Sequence, residues 1–292
     1  MALAACGGKA RTKRSAMNTR ARATMDGPLV KKATCVLACV IGVIGCSAPS
    51  EPVEASIRGR FLLRGDVSDP AALAIDKDRE CCGRVPLMSE ELVVGPDDGL
   101  ANVVIFVRSK DIPSPKQGNL EPFRISTDGC RYAPHVSLVQ TDQTIVIEAN
   151  ACAPINPNLS DTPMGMLIPA KSEGASICLS RAPSLPSRLT CNIHPWMKAW
   201  VVIRPNPYAC LSAQSGDFEI RSVPPGVWEL QFWHEAFGCL EEMTVGGEHK
   251  RLPKGRMTVE VRPSGIDLGA IELDYGKLKE KKPEPGVGAD SR

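Results

Sequence analysis

The sequence predicts an all-β protein built as two sandwich-like units. Short runs rich in β-branched and apolar residues recur along most of the chain, separated by turn residues. No window of comparable length shows a convincing 3.6-residue apolar period. The 25 Pro, 25 Gly and 12 Cys among 292 residues weigh against a helix bundle and point to an oxidised, β-rich protein. That length suffices for one large or two ordinary domains with real cores.

Taken in order, the chain opens on an address. Residues 1–45 hold eight basic side chains and only one acidic one, Asp26, whereas from Cys46 onward there is an acidic excess of five. Lys31 and Lys32 precede a thirteen-residue apolar run, 33–45, which is too short to span a bilayer. It fits the core of a secretory signal. The run ends in Val43-Ile44-Gly45-Cys46, similar to the bacterial lipobox, with Cys46 as the lipidated residue and Ile44 larger than usual at its place. A plain cleaved signal peptide is the competing reading. Met17 or Met25 would start an ordinary signal, so residues 1–24 read as an over-long start. The implied location is the bacterial envelope, outside the cytoplasm, with the membrane as partner through the lipid. Residues 46–56 then form a small, polar, Pro-containing tether.

The strand-like runs include 57–63, 103–107, 136–139, 144–148, 199–203, 218–221, 228–233, 243–245 and 257–261. The stretch 79–92 suits one short helix. Gly216-Asp217 turns into one strand, and Pro224-Pro225-Gly226 makes a tight reversal before Val227-Trp228-Glu229-Leu230. Residues 276–292 are charged, with Pro283 and Pro285, and read as a disordered tail. The 35 basic and 33 acidic side chains nearly balance, which argues against nucleic acid as a partner.

These C-terminal turns, with 58–65 and Leu100-Ala101-Asn102-Val103-Val104 upstream, resemble the carboxypeptidase-regulatory-like, transthyretin-like sandwich. The resemblance implies a non-catalytic scaffold made of residues 57–109 and 206–275. Residues 110–205 lie inserted in it or next to it. That segment carries Cys191-Asn192-Ile193-His194-Pro195-Trp196-Met197. A thiolate, an imidazole and a thioether on one loop are three parts of a blue-copper ligand set. The loop resembles that of the cupredoxins of amicyanin type, and the resemblance implies a Greek-key sandwich, copper as cofactor and one-electron transfer to a redox or envelope partner. In that family a further His completes the site. Counted from Asn150, Asn156 stands in its place, and an amide oxygen is a poor ligand for a soft cupric–thiolate centre. His135 is the other residue to consider. A complete blue-copper site, a degenerate one and a Cu(I) site of Cys191, His194 and Met197 stay open, and so does a metal-free lipoprotein that presents sandwich loops to a partner.

Eight cysteines follow Cys46: Cys81, Cys82, Cys130, Cys152, Cys178, Cys191, Cys210 and Cys239. If Cys191 is a ligand, one other is left over; if it is oxidised, all can pair. Locally plausible bridges join Cys81 or Cys82 to Cys130, Cys152 to Cys178, and Cys210 to Cys239. Of the adjacent pair Cys81-Cys82, one is the strongest competitor for Cys191. Trp233-His234-Glu235 lacks the second His of a zincin motif and reads as a packed strand end, and His249 as solvated. Nothing in the sequence suggests an enzyme.

Overall fold

The computed structural model describes residues 55–115, 118–160, 162 and 165–280. The expected signal region, Cys46, the expected tether as far as residue 54 and the stretch from 281 of the expected tail lie outside the described residues. The fold is all-β, as predicted. Its first half runs β1 (Ile57–Arg64), α1 (Arg79–Cys82), β2 (Val104–Val107), β3 (Phe123–Ile125), β4 (Val136–Gln140), β5 (Thr144–Ala149), β6 (Pro157–Leu159), β7 (Ser172–Cys178) and β8 (Ser187–Cys191). Then come β9 (Lys198–Arg204), β10 (Ala209–Leu211), β11 (Asp217–Ile220), β12 (Gly226–His234), β13 (Gly238–Cys239), β14 (Glu242–Val245), β15 (Glu248–Arg251), β16 (Arg256–Val261), β17 (Ile266–Asp274) and α2 (Tyr275–Glu280).

One sandwich joins strands from both ends of this region. β1 pairs antiparallel with β11, Ile57 opposite Ile220, and parallel with β17, Phe61 opposite Ile271. Its other sheet runs β10-β2-β12, with Ile105 between Cys210 and Phe232, and β16 and β13 share the far edge of β12. Phe61 packs on Phe218 and Phe232 at the centre, ring centroids 5.2 and 5.9 Å away. Gly216 admits no side chain: its φ is +85°, and a Cβ there would lie 2.0 Å from the Phe61 carbonyl oxygen.

The second sandwich has sheets β3-β5-β7 and β4-β9-β8-β6. Its core includes Ile125, Ile145, Ile147, Leu189, Val201 and Ile203. β2 and β9 are covered on both faces, which is why each reads as a continuous apolar run. Ile105 and Val107 face the first core, while Val104 and Phe106 meet Val136, Val202 and Trp233 of a third cluster between the sandwiches. There Trp200 meets Trp233 edge-on at 4.7 Å, and the Arg204 guanidinium lies 4.0 Å above the Phe106 ring. Burial, then the charge of Arg108, lowers the Arg204 pKa to about 10.

The one short helix expected within 79–92 is present as the four-residue α1, ended by Gly83, whose N–H donates to the Arg79 carbonyl, ahead of Pro86. Several expectations are corrected. Residues 276–280, expected to belong to the tail, lie in α2, which places Leu278 in the first core. Cys82 bridges Cys130, but Cys152 bridges Cys81 rather than Cys178, which is itself disulfide-bonded. Cys210 is a thiol and does not join Cys239. β2 and β12 lie between their strands, a separation of about 14 Å where a bridge needs Cα atoms within about 7 Å. Burial pushes the Cys210 thiol up to about 12.

Candidate functional site

Cys191 ends β8, and the loop turns back into β9 through a hydrogen bond from the Met197 N–H to the His194 carbonyl. That short reversal is what brings the three side chains of the motif to one end of the sandwich. Cys191 is a reduced thiol, so its oxidation into a bridge is corrected. It is 4 % exposed, and His194 and Met197 are 1 % exposed each. The Cys191 Sγ stands 3.8 Å from His194 Nδ1.

The sulfur's other neighbours come from far along the chain. The Asn156 main-chain N–H points at Sγ from 3.4 Å. The Asn156 side chain turns the other way and accepts from Asn192 Nδ2 at 3.0 Å. The expected position of the missing donor is therefore off by one residue, and one residue along a strand exchanges the two faces. Fully buried Ile155 takes the inward side, in the same core as Cys191 and Met197. Tyr132 also reaches the sulfur. Its hydroxyl donates to the Thr190 carbonyl at 3.2 Å, and burial first, then the Cys191 sulfur, raises its pKa well above the usual phenol value.

No sequence signal points to Asp78. Its carboxylate accepts from His194 Nε2–H at 2.7 Å, which leaves Nδ1 bare toward the thiol. Asp78 sits just before α1 at a φ of +46°, a backbone state that Asp tolerates better than most residues. α1 is fastened to the second sandwich by Cys81–Cys152 and Cys82–Cys130, whose Cα separations are 5.9 and 5.4 Å. The order Cys191, His194, Asp78 is that of an activated nucleophile. The burial of the first two, however, leaves a substrate no approach to the sulfur.

His135 is elsewhere. It immediately precedes β4, which β9 separates from β8, and its Nε2 bonds the Glu235 carboxylate of the first sandwich. Its Nδ1 is 3.8 Å from Glu90, and the other Glu235 oxygen accepts from Trp200 Nε1 at 2.8 Å. His234, beside Glu235, is a packed strand end, donating to the Ala101 carbonyl at 3.2 Å and accepting the Ala236 N–H. His249 is exposed. A cupric site of the His₂Cys kind therefore does not fit these residues. One imidazole and one thiol face each other, the second imidazole is engaged in an ion pair elsewhere, and a backbone N–H and a phenol surround the sulfur instead.

No family model matches the chain, and no curated protein matches it either. Solved structures do. Amicyanin from Paracoccus versutus (Thiobacillus versutus) is 14% identical over 34% of this chain and 97% of its own, with a TM-score of 0.25. The reduced Cu(I) form of an amicyanin variant is 13% identical over 34% of this chain and 98% of its own, at 0.27. A Cu-containing nitrite reductase from Thermus scotoductus SA-01 is 17% identical over 32% of this chain and 25% of its own, at 0.24.

Proposed function

We propose that the chain is a lipid-anchored envelope protein whose second sandwich is cupredoxin-like and keeps its Cys-x2-His-x2-Met loop as a buried hydrogen-bonded clasp, without an electron-transfer copper. The role is structural or binding, not catalytic. The carrying observation is the main-chain N–H of Asn156 at the Cys191 sulfur, with the Asn156 side chain on the outer face. The Asp78 carboxylate on His194 supports the same reading, because it closes the clasp from the outside. The lipobox-like Val43-Ile44-Gly45-Cys46 supports the anchor.

Titration of the purified protein with Cu(II), followed by optical spectroscopy, tests this. The wild type is expected to show no intense thiolate-to-copper band and weak retention. Asn156→His is expected to change nothing, because that side chain faces outward, whereas Ile155→His adds an inward imidazole and is expected to bring the band up. A wild type that turns strongly coloured with one equivalent of copper overturns the reading.

A further inference from the structure

The four cysteines around α1 hold more sulfur chemistry than two cross-links need. Cys81 and Cys82 are adjacent, and their bridges diverge to Cys152 and Cys130. The Cys81 Sγ also lies 3.8 Å from the Cys130 Sγ of the other bridge, and 3.8 Å from the Cys82 Sγ. Cys81, Cys130 and Cys152 place their sulfurs within 4.8 Å of one another. Exposure is graded across the cluster. Cys152 is exposed and Cys81 half-buried, while Cys82 and Cys130 are 4 % and 2 % exposed. An external thiol thus reaches one bridge and is shut off from the other. A thiolate released at Cys81 already touches the sulfur it would attack.

We propose that Cys81, Cys82, Cys130 and Cys152 form a thiol–disulfide exchange centre that takes electrons from a dithiol donor at Cys152 and passes the open valence inward to Cys82. The donor's thiolate attacks Cys152 Sγ: a donor–Cys152 bond forms, Cys152–Cys81 breaks, and Cys81 leaves as thiolate. The donor's second thiol then displaces Cys152. The donor ends as a disulfide, oxidised by two electrons, and Cys152 takes up a proton. The Cys81 thiolate next attacks Cys130 Sγ, forming Cys81–Cys130 as Cys130–Cys82 breaks. Cys82 leaves with the electron pair and is protonated, with no net redox change in this step. The product carries thiols at Cys82 and Cys152 and one bridge, Cys81–Cys130.

The test uses the oxidised full-length protein and one equivalent of dithiothreitol as donor. Samples are acid-quenched, alkylated with N-ethylmaleimide and mapped by tandem mass spectrometry, which separates adducts on Cys81 from those on Cys82. The expected singly reduced species bears adducts on Cys152 and Cys82 with a cross-linked Cys81–Cys130 peptide. Adducts on Cys152 and Cys81 with Cys82–Cys130 intact overturn the proposal, as does resistance of both bridges in the folded protein. Cys152→Ser provides a second arm without reductant. A mixture of Cys81–Cys130 and Cys82–Cys130 is expected, and Cys82–Cys130 alone overturns the exchange step.

Discussion

At Asp78 one carboxylate decides how a buried imidazole is presented. His194 is enclosed, and its Nε2–H has that carboxylate as acceptor at 2.7 Å. Because the Asp78 side chain is 41% exposed, water replaces part of the bond when it is removed. Asp78→Ala should therefore cost about 1–2 kcal/mol, plus about 1 kcal/mol for a non-glycine residue without a polar side chain at positive φ. Asp78→Asn, which keeps an acceptor and tolerates that backbone, should cost less; urea midpoints of the two variants check the ranking. The sequence made Cys191, His194 and Met197 legible because a single loop carries all three. Asp78 lies 116 residues before its partner and Tyr132 lies 58 before Thr190, so no local pattern marks either. The Asn156 error had a different source. Counting along a strand locates a residue but does not tell which face it takes.

Elements covered on both sides were the easiest to read. All nine expected runs are strands, and β2 and β9 were among the clearest because two cores demand apolar residues at every position. β3, β6, β7, β8, β10, β13, β15 and β17 were missed: most are short or carry polar residues between the apolar ones, and their pairing partners fix them as strands. Phe106→Ala should cost about 3–5 kcal/mol by emptying the space between the sandwiches and removing the ring beneath Arg204, as read by chemical denaturation. The His135–Glu235 pair joins the same two sandwiches. Burial works against the charged imidazole, but the hydrogen bond to Glu235 and the charges of Glu235, Glu90 and Glu91 outweigh it and raise the pKa. This contribution is fully present below the unfolded value, about 6.5, and is lost as pH rises through the folded one. His135→Gln should flatten the alkaline side of a Tm-against-pH curve and leave the rest of its shape.

For the whole molecule the acid side has a different owner. Burial foremost, and the nearby charge of His135, lower the His234 pKa to about 4, against the bond to Ala101. Between about 6.5 and 4 the unfolded chain binds a proton that the folded one refuses, so stability falls with pH by up to roughly 3 kcal/mol. Thermal melts at pH 7 and pH 5 should show the first part of this loss and a melt at pH 4 most of it, and His135→Gln should leave most of it in place. Cys46→Ala should release the protein from the membrane fraction and remove the lipid from its intact mass; retention in the membrane would count against the anchor. The pairing of β1 with β11 and β17, and of β2 with β10 and β12, has a consequence in time rather than in space. Strands made first must wait for partners synthesised more than a hundred residues later, so the emerging chain holds two sticky edges open while the segment between them closes on itself. Folding should therefore run from the middle outward. A chain stopped at residue 205 should keep the second sandwich's protection in hydrogen exchange and leave residues 57–63 unprotected and prone to aggregate.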